Sequence, residues 1–359
     1  MTVVDQSACR FGTHRVIEPV GALPQAAWKL DAGSPTFPNE IRCDVEALNV
    51  DSASFRQIAE VCAFEPARIG EHIRATVRER GKQHNPVTGS GGMFVGRVSE
   101  IGADLAQRVP VRVGDRVASL VSLSLTPLSI DEIHRVDVAT GRVWVSGSAV
   151  LFESGVYAKL PGDIRTDVAL AVLDVAGAPA QVHRLARPGD TVVVLGAAGK
   201  SGMLACAVAR ERTGSGGRVI GVVPHASTPG AHLLKEAGYV DELLEKDARD
   251  ALGVVEAVSA VAPALADLTV NCVNVPGTEL ASVLCTKDGG TVYFFSMSTS
   301  FTAAALGAEG VGKDVTMIIG NGYARGHADV ALQTLRDHPA LARYFDEHFG
   351  SAAEGAQLS

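Results

Sequence analysis

A chain of 359 residues exceeds what one hydrophobic core organises, so two domains with a cleft between them are expected. With 47% hydrophobic residues, 20% charged residues and 38 glycines, the composition excludes disordered and fibrous classes. A formal net charge of -8, with no compensating Lys/Arg cluster, disfavours nucleic acid and anionic membrane surfaces and leaves small molecules as the expected partners.

In chain order, the opening decapeptide MTVVDQSACR lacks the apolar core of a signal peptide, and no run of about 18 apolar residues follows anywhere. The six cysteines, Cys9, Cys43, Cys62, Cys206, Cys272 and Cys285, form no CxxC pair, which argues against a zinc knuckle or disulfide framework and predicts a reducing, cytoplasmic setting. From residue 39 to about 159, short β-rich runs such as 40–50 and 142–150 alternate with turns, interrupted by two helical stretches at 52–63 and 67–81. Beyond Pro161 the pattern becomes alternating helix and strand, the signature of a parallel sheet. The apolar run VALAVLDVA at 168–176 opens it. The clearest unit spans 190–223: a buried strand TVVVL at 191–195, a glycine turn, a helix over 200–212 and a second strand at 218–223. Further strands are predicted at 268–273, 290–296 and 315–319, and residues 327–349 read as an amphipathic helix. Three segments result, 1–160, 161–320 and 321–359.

The turn GAAGKSG at 196–202 places Gly196, Gly199 and Gly202 between an apolar strand and an apolar helix, as close backbone approach to a pyrophosphate requires. Gly196, Ala198, Gly199, Lys200, Ser201 and Gly202 are therefore expected at a dinucleotide. The second strand ends GVVPHAS at 221–227, with no acid for a 2′-hydroxyl and no arginine for a 2′-phosphate. His225, Ser227 and Thr228 suit either ribose, so NAD and NADP both stay open, with NAD slightly ahead.

The order of these parts resembles the medium-chain dehydrogenase/reductase superfamily. The likeness rests on GRVSEIG at 96–102, VGDRV at 113–117 and the helical stretch 169–180 before the dinucleotide unit. It implies an α/β protein with a GroES-like β catalytic domain, a Rossmann doubly wound parallel sheet and a C-terminal return of 321–359 to the first domain. It also implies a homodimer paired through Rossmann edges, and a nicotinamide approached by backbone at Ser296. The strings FGTHRVIEP at 11–19, LNVDSASF at 48–55 and NPVTGSGGM at 85–93 resemble, more narrowly, the L-erythro-3,5-diaminohexanoate dehydrogenase family. That resemblance implies oxidative deamination of a diamino acid at C3 with hydride transfer to NAD(P), in lysine degradation.

Matched to the superfamily's zinc site, the usual ligand positions fall on Asp51, Gly92, Met93 and Asp174. Two carboxylates without His or Cys are a poor tetrahedral site, so no metal is expected. The replacement suits an amine: its neutral form donates hydride and becomes a cation, which carboxylates stabilise and an alkoxide-binding metal does not. Asp51 and Asp174 are the expected catalytic pair, either of them the base. Asp51 also precedes a helix, where Asp is a common N-cap. Asp174 stands in an apolar run where an unpaired buried carboxylate is costly. Arg15, Ser52, Ser54 and Thr88 are the expected substrate contacts, Arg15 as a bidentate partner of the carboxylate. The alternative function is a zinc-free NADPH-dependent quinone or enoyl reductase, whose chemistry needs no acidic pair.

Overall fold

The computed structural model describes residues 8–86, 89–320 and 322–350, the Ser52 and Ala53 side chains apart. The chain divides into two compact units, Met1–Pro161 and Gly162–Ser359. Among the described residues no helix is long and apolar enough to cross a membrane.

In the first unit, β1 (Val16–Glu18) and β2 (Lys29–Leu30) form a small antiparallel pair. The main sheet takes β3 (Glu40–Asn49), β4 (Met93–Ile101), β5 (Arg116–Ser119), β6 (Leu128–Asp137), β7 (Arg142–Phe152) and β8 (Tyr157–Lys159) in the antiparallel order β6-β7-β3-β4-β5-β8. β3 is central and shows why it is a strand: Ile41, Cys43 and Val45 are buried and Arg42, Asp44 and Glu46 are not, a period of two. Between Val45 and Ala47 the pairing with both neighbours shifts, a bulge that rephases the strand and buries Leu48. Helix α1 (Ser52–Val61) ends earlier than its pattern predicts because Ala63 and Phe64 take left-handed backbone conformations. Helix α2 (Pro66–Arg80) starts on a proline and stops at left-handed Gly81, the usual punctuation. Ile69, Ile73 and Val77 on its buried face join Phe94, Leu128 and Val143 of the sheet in one core.

Inside this unit lies a dry ionic cluster. All five guanidinium N–H donors of Arg15 are engaged. Nε and Nη2 bind Glu40 at 2.8 and 2.6 Å, Nη1 reaches the Asp31 and Ser34 carbonyls, and Nη2 also reaches Pro35. Glu40 accepts two more bonds, from His14 Nε2 at 2.8 Å and Phe37 N–H at 2.9 Å. Since His14 Nδ1 accepts the Cys9 N–H, Nε2 carries the proton and the neutral ring suffices. Burial pushes the Glu40 carboxyl up, but the hydrogen bonds from Arg15, His14 and Phe37 outweigh it and hold it at about 2 from an ordinary 4.5.

The second unit begins with α3 (Thr166–Leu173) and α4 (Gly177–Leu185). There follow β9 (Thr191–Leu195), α5 (Lys200–Thr213), β10 (Arg218–Val223), α6 (Pro229–Glu236), β11 (Glu242–Glu245), α7 (Ala251–Val261) and β12 (Ala266–Asn271). Next come α8 (Glu279–Cys285), β13 (Thr286–Phe294), α9 (Phe301–Gly310), β14 (Thr316–Ile319), α10 (His327–Asp337) and α11 (Pro339–Phe349). The strands form one parallel sheet in the order β11-β10-β9-β12-β13-β14, the doubly wound arrangement. The single helix predicted over 327–349 is two, because Pro339 restarts the chain after His338. Helices α10 and α11 belong to the second unit and pack on α3, α4, α5 and α6. Their apolar stripe of Ala331, Leu332, Leu335, Leu341 and Phe345 is buried there.

Replacing Glu40 by Ala leaves the buried guanidinium with only the Asp31 carboxylate, 3.6 Å away, as counter-ion, a loss of about 3–5 kcal/mol. Both tryptophans, Trp28 and Trp144, lie in the first unit, so urea unfolding followed by their fluorescence reads it directly. Because the folded pKa is depressed, the stabilisation is complete above pH 4.5 and lost as pH falls towards about 2. The gap between wild type and Glu40→Ala is expected to close over that interval.

Candidate functional site

The parallel sheet dictates where a ligand sits. β9 and β12 are neighbours whose connections leave in opposite directions, and the crevice at their carboxyl ends is the switch point of the fold. The glycine turn opens there. Gly196 has φ 76°, a left-handed conformation, and a Cβ on it would lie 3.1 Å from the Cys272 carbonyl carbon. A Cβ on Gly202 would overlap the Gly196 carbonyl oxygen and stand 2.6 Å from Ala197 O, so α5 approaches β9 only if this residue is glycine. Gly199 differs. It is exposed, with φ -80° and ψ 168°, and a Cβ there would meet no atom nearer than 3.5 Å. The fold does not need glycine at 199, whereas a phosphate brought against the turn does.

Gly199 is also the N-cap of α5 and supplies no side-chain cap, which leaves the first-turn N–H groups of Lys200, Ser201 and Gly202 facing outward with the positive end of the helix dipole. These features fit a dinucleotide pyrophosphate. The Ser201 hydroxyl donates to the Cys272 thiol, tying the helix start to the end of β12, and burial pushes that thiol up to about 12. Ala198 is half-buried, its carbonyl against Gly230 at the start of α6. At the second strand's end, His225 is exposed, and its carbonyl accepts the Thr228 hydroxyl at 3.3 Å. At the end of β13, Phe295 and Ser296 both donate their N–H to Asn271 O, at 3.0 and 3.3 Å, which holds Ser296 at the same carboxyl edge of the sheet.

The expectation that Asp174 is buried in a continuous helix is corrected. After Leu173 the bonding tightens from i−4 to i−3, with Val175 N–H to Val172 O and Ala176 N–H to Leu173 O, and α4 begins only at Gly177. Asp174 stands at this break with its side chain 47% exposed, and its Oδ2 lies 2.9 Å from Lys200 Nζ. Sequence reasoning placed Lys200 at the phosphates but missed this pairing, because 26 residues separate the partners.

In the first unit, β3 delivers Asp51 to the start of α1. Asp51 Oδ1 accepts the Ser54 N–H at 3.0 Å, an N-cap. Its other oxygen, Oδ2, is buried and has no hydrogen-bond partner among the described residues. Facing this segment is Gly92, φ 85°, where a Cβ would overlap Asn49 O and come within 2.8 Å of Asp51 N. A histidine ligand at 92 therefore has no room. Among the described residues, no group of three or more His, Cys, Asp or Glu side chains is gathered for a metal ion. Asn85 closes the 85–90 loop through bonds to Ser90 and Gly89 and donates to Gln57 Oε1 at 2.6 Å.

Two of the expected substrate contacts are buried. Arg15 is fully buried with every donor engaged by Glu40 and carbonyls, so none remains for a substrate carboxylate. Ser54 is buried, and its N–H orients Asp51. Thr88 and the Ser52 side chain lie outside the described residues.

The family profile of the L-erythro-3,5-diaminohexanoate dehydrogenase N-terminal domain matches residues 14–161. A relative from Acetoanaerobium sticklandii is 53% identical over 342 residues, 95% of this chain and 99% of its own length, and bears the name L-erythro-3,5-diaminohexanoate dehydrogenase. A relative of the same name from Fusobacterium nucleatum is 50% identical over 343 residues, again 95% and 99% of the two chains. Among solved structures, AibC is 19% identical with a TM-score of 0.53, over 86% of this chain and 83% of its own. The mycobacterial protein Rv1454c, in complex with NADPH, is 18% identical with a TM-score of 0.52, over 90% and 84%. These two share the fold.

Gly199→Ala separates the needs of fold and ligand. Thermal unfolding is expected to change by less than about 0.5 kcal/mol, as for a surface substitution. Calorimetric titration with NADH is expected to show affinity reduced by about tenfold or more, since the methyl stands where the backbone meets the pyrophosphate. Equal affinities would refute that placement.

Proposed function

Because the chain belongs to the L-erythro-3,5-diaminohexanoate dehydrogenase family, we propose that it oxidises the C3 amine of that diamino acid to 5-amino-3-oxohexanoate, releasing ammonia. Bound at the glycine turn, a nicotinamide dinucleotide supplies the hydride acceptor, and NAD is the favoured form. The observation that carries the reading is the buried Oδ2 of Asp51, which has no partner among the described residues and is a carboxylate oxygen left over for a cationic ligand.

An ammonium has no lone pair to push hydride from C3, so the substrate must first lose a proton. Asp51 and Asp174 are the candidates for that work: a carboxylate that holds the C3 ammonium can take its proton, and carboxylate charge stabilises the iminium left when hydride departs. That carboxylate passes this first proton to solvent, then takes a proton from the water that adds to C3 and returns it to the carbinolamine nitrogen, so that ammonia leaves as the carbinolamine hydroxyl gives up its own proton to solvent. Lys200, 2.9 Å from Asp174, fixes that carboxylate and offsets its charge. The quinone or enoyl reductase reading has less support: the relatives matching nearly full length bear the dehydrogenase name.

We propose in addition a homodimer formed through β14. Its outer edge has no strand partner among the described residues, and Ile319 there, with Phe301 and Leu306 of α9, is exposed. An unpaired edge beside apolar surface is a template for pairing.

With 3,5-diaminohexanoate and NAD at about pH 9, where an amine begins to lose its proton, cofactor reduction with ammonia release is expected. Asp51→Asn and Asp174→Asn are each expected to lower kcat by about 10²–10⁴, with NADH affinity retained. Full activity in either variant would remove that residue from the chemistry. Light scattering is expected to give twice the 37.3 kDa chain mass, and Ile319→Glu to shift it towards one.

A further inference from the structure

We infer that Glu245 sets the preference of this chain for NAD over NADP. The inference rests on the dinucleotide reading of the glycine turn and goes beyond it, to a residue on the third strand of the sheet.

The second strand, β10, ends without the acid that ordinarily receives a ribose 2′-hydroxyl. The fold supplies one from next door. β11 pairs with β10 so that Glu245 stands opposite Val223, the last residue of β10. From there Glu245 Oε2 accepts the Ala226 N–H at 3.2 Å, inside the 224–228 loop where the adenosine ribose is read. The carboxylate thus sits between His225 and Ser227, leaving Oε1 to accept from a 2′-hydroxyl.

Three features at this loop oppose a 2′-phosphate. Glu245 brings a like charge. It also occupies the Ala226 N–H, a donor such a phosphate would use. The start of α6 is closed as well: Pro229 at its first position has no N–H, and the Thr228 hydroxyl oxygen accepts the Ala231 N–H at 3.3 Å. The contrast with α5, whose start lacks a side-chain cap, separates a site built for phosphate from one built for hydroxyl. The cation next to Glu245 in sequence is Lys246. The Lys246 N–H is engaged by Val223 O at 2.8 Å.

The test is calorimetric titration of the full chain with NADH and with NADPH, in wild type and Glu245→Gln. Glutamine keeps an oxygen to accept the Ala226 N–H, so the loop holds while the charge goes. The ratio of two affinities on one sample is also insensitive to any loss of folded protein. Wild type is expected to bind NADH at least about tenfold more tightly than NADPH. Glu245→Gln is expected to bring the ratio close to one, chiefly by tightening NADPH. Raising salt is expected to narrow the ratio in wild type and not in the variant. An unchanged ratio in Glu245→Gln, a wild type that prefers NADPH, or a ratio that moves only in Lys246→Ala would each overturn the assignment. Failure of wild type to bind either dinucleotide would instead overturn the glycine-turn reading beneath it.

Discussion

Hydrogen-bond satisfaction of buried carboxylates governs this molecule, and β3 shows both of its outcomes on one strand. At its start, Glu40 accepts four hydrogen bonds, two from Arg15, one from His14 and one from the Phe37 N–H. Nothing is left over, and a charge pair removed from water survives only on such terms. The cluster pins residues 14–37 to the central strand. Just past the other end of β3, Asp51 has one oxygen capped by the Ser54 N–H and one oxygen buried without a partner. The satisfied carboxylate builds the fold, and the unsatisfied one is where we propose that the substrate ammonium binds.

The second unit applies the same accounting to helix starts. An α-helix begins with N–H groups that have no intrahelical acceptor, and what covers them decides what binds. At α5 no side chain covers them, and Gly199 leaves the approach open. At α6 a proline removes one donor, and Thr228 and the neighbouring Glu245 occupy the Ala231 and Ala226 N–H groups. In the proposed reading, two βα turns on adjacent strands of one sheet have opposite tastes, one for phosphate and one for hydroxyl. The amine chemistry proposed for Asp51 and Asp174 needs both, because a correctly seated dinucleotide sets where hydride leaves.

Much was legible in the sequence because it is local. The alternation of 40–50, the strand at 191–195, the glycine turn and the strand at 218–223 are patterns of neighbouring residues, and periodicity and steric rules act on neighbours. The places where the sequence misled share a cause. The run 168–176 reads as one helix, yet its bonding tightens at Asp174 and turns the carboxylate outward towards Lys200. Arg15 reads as a substrate anchor because its motif is exposed to view in the sequence, but Glu40, 25 residues on, takes it into the interior. The helix at 327–349 was foreseen, its break at Pro339 and its docking on α3, α4, α5 and α6 were not.

By itself the sequence determined the class of the two units, the order of their elements and the glycine turn, since each follows from spacing within a few residues; the two candidate aspartates came from the resemblance to the superfamily's zinc site. Only the tertiary structure decided what each charged group faces. Lys200 meets Asp174, Arg15 meets Glu40, and Glu245 enters a loop that lies 19 residues earlier in the chain. The physical reason is that electrostatic and hydrogen-bond energies depend on distance in space and on exclusion of water, and strand order in a sheet fixes both without leaving a mark on any single stretch of sequence.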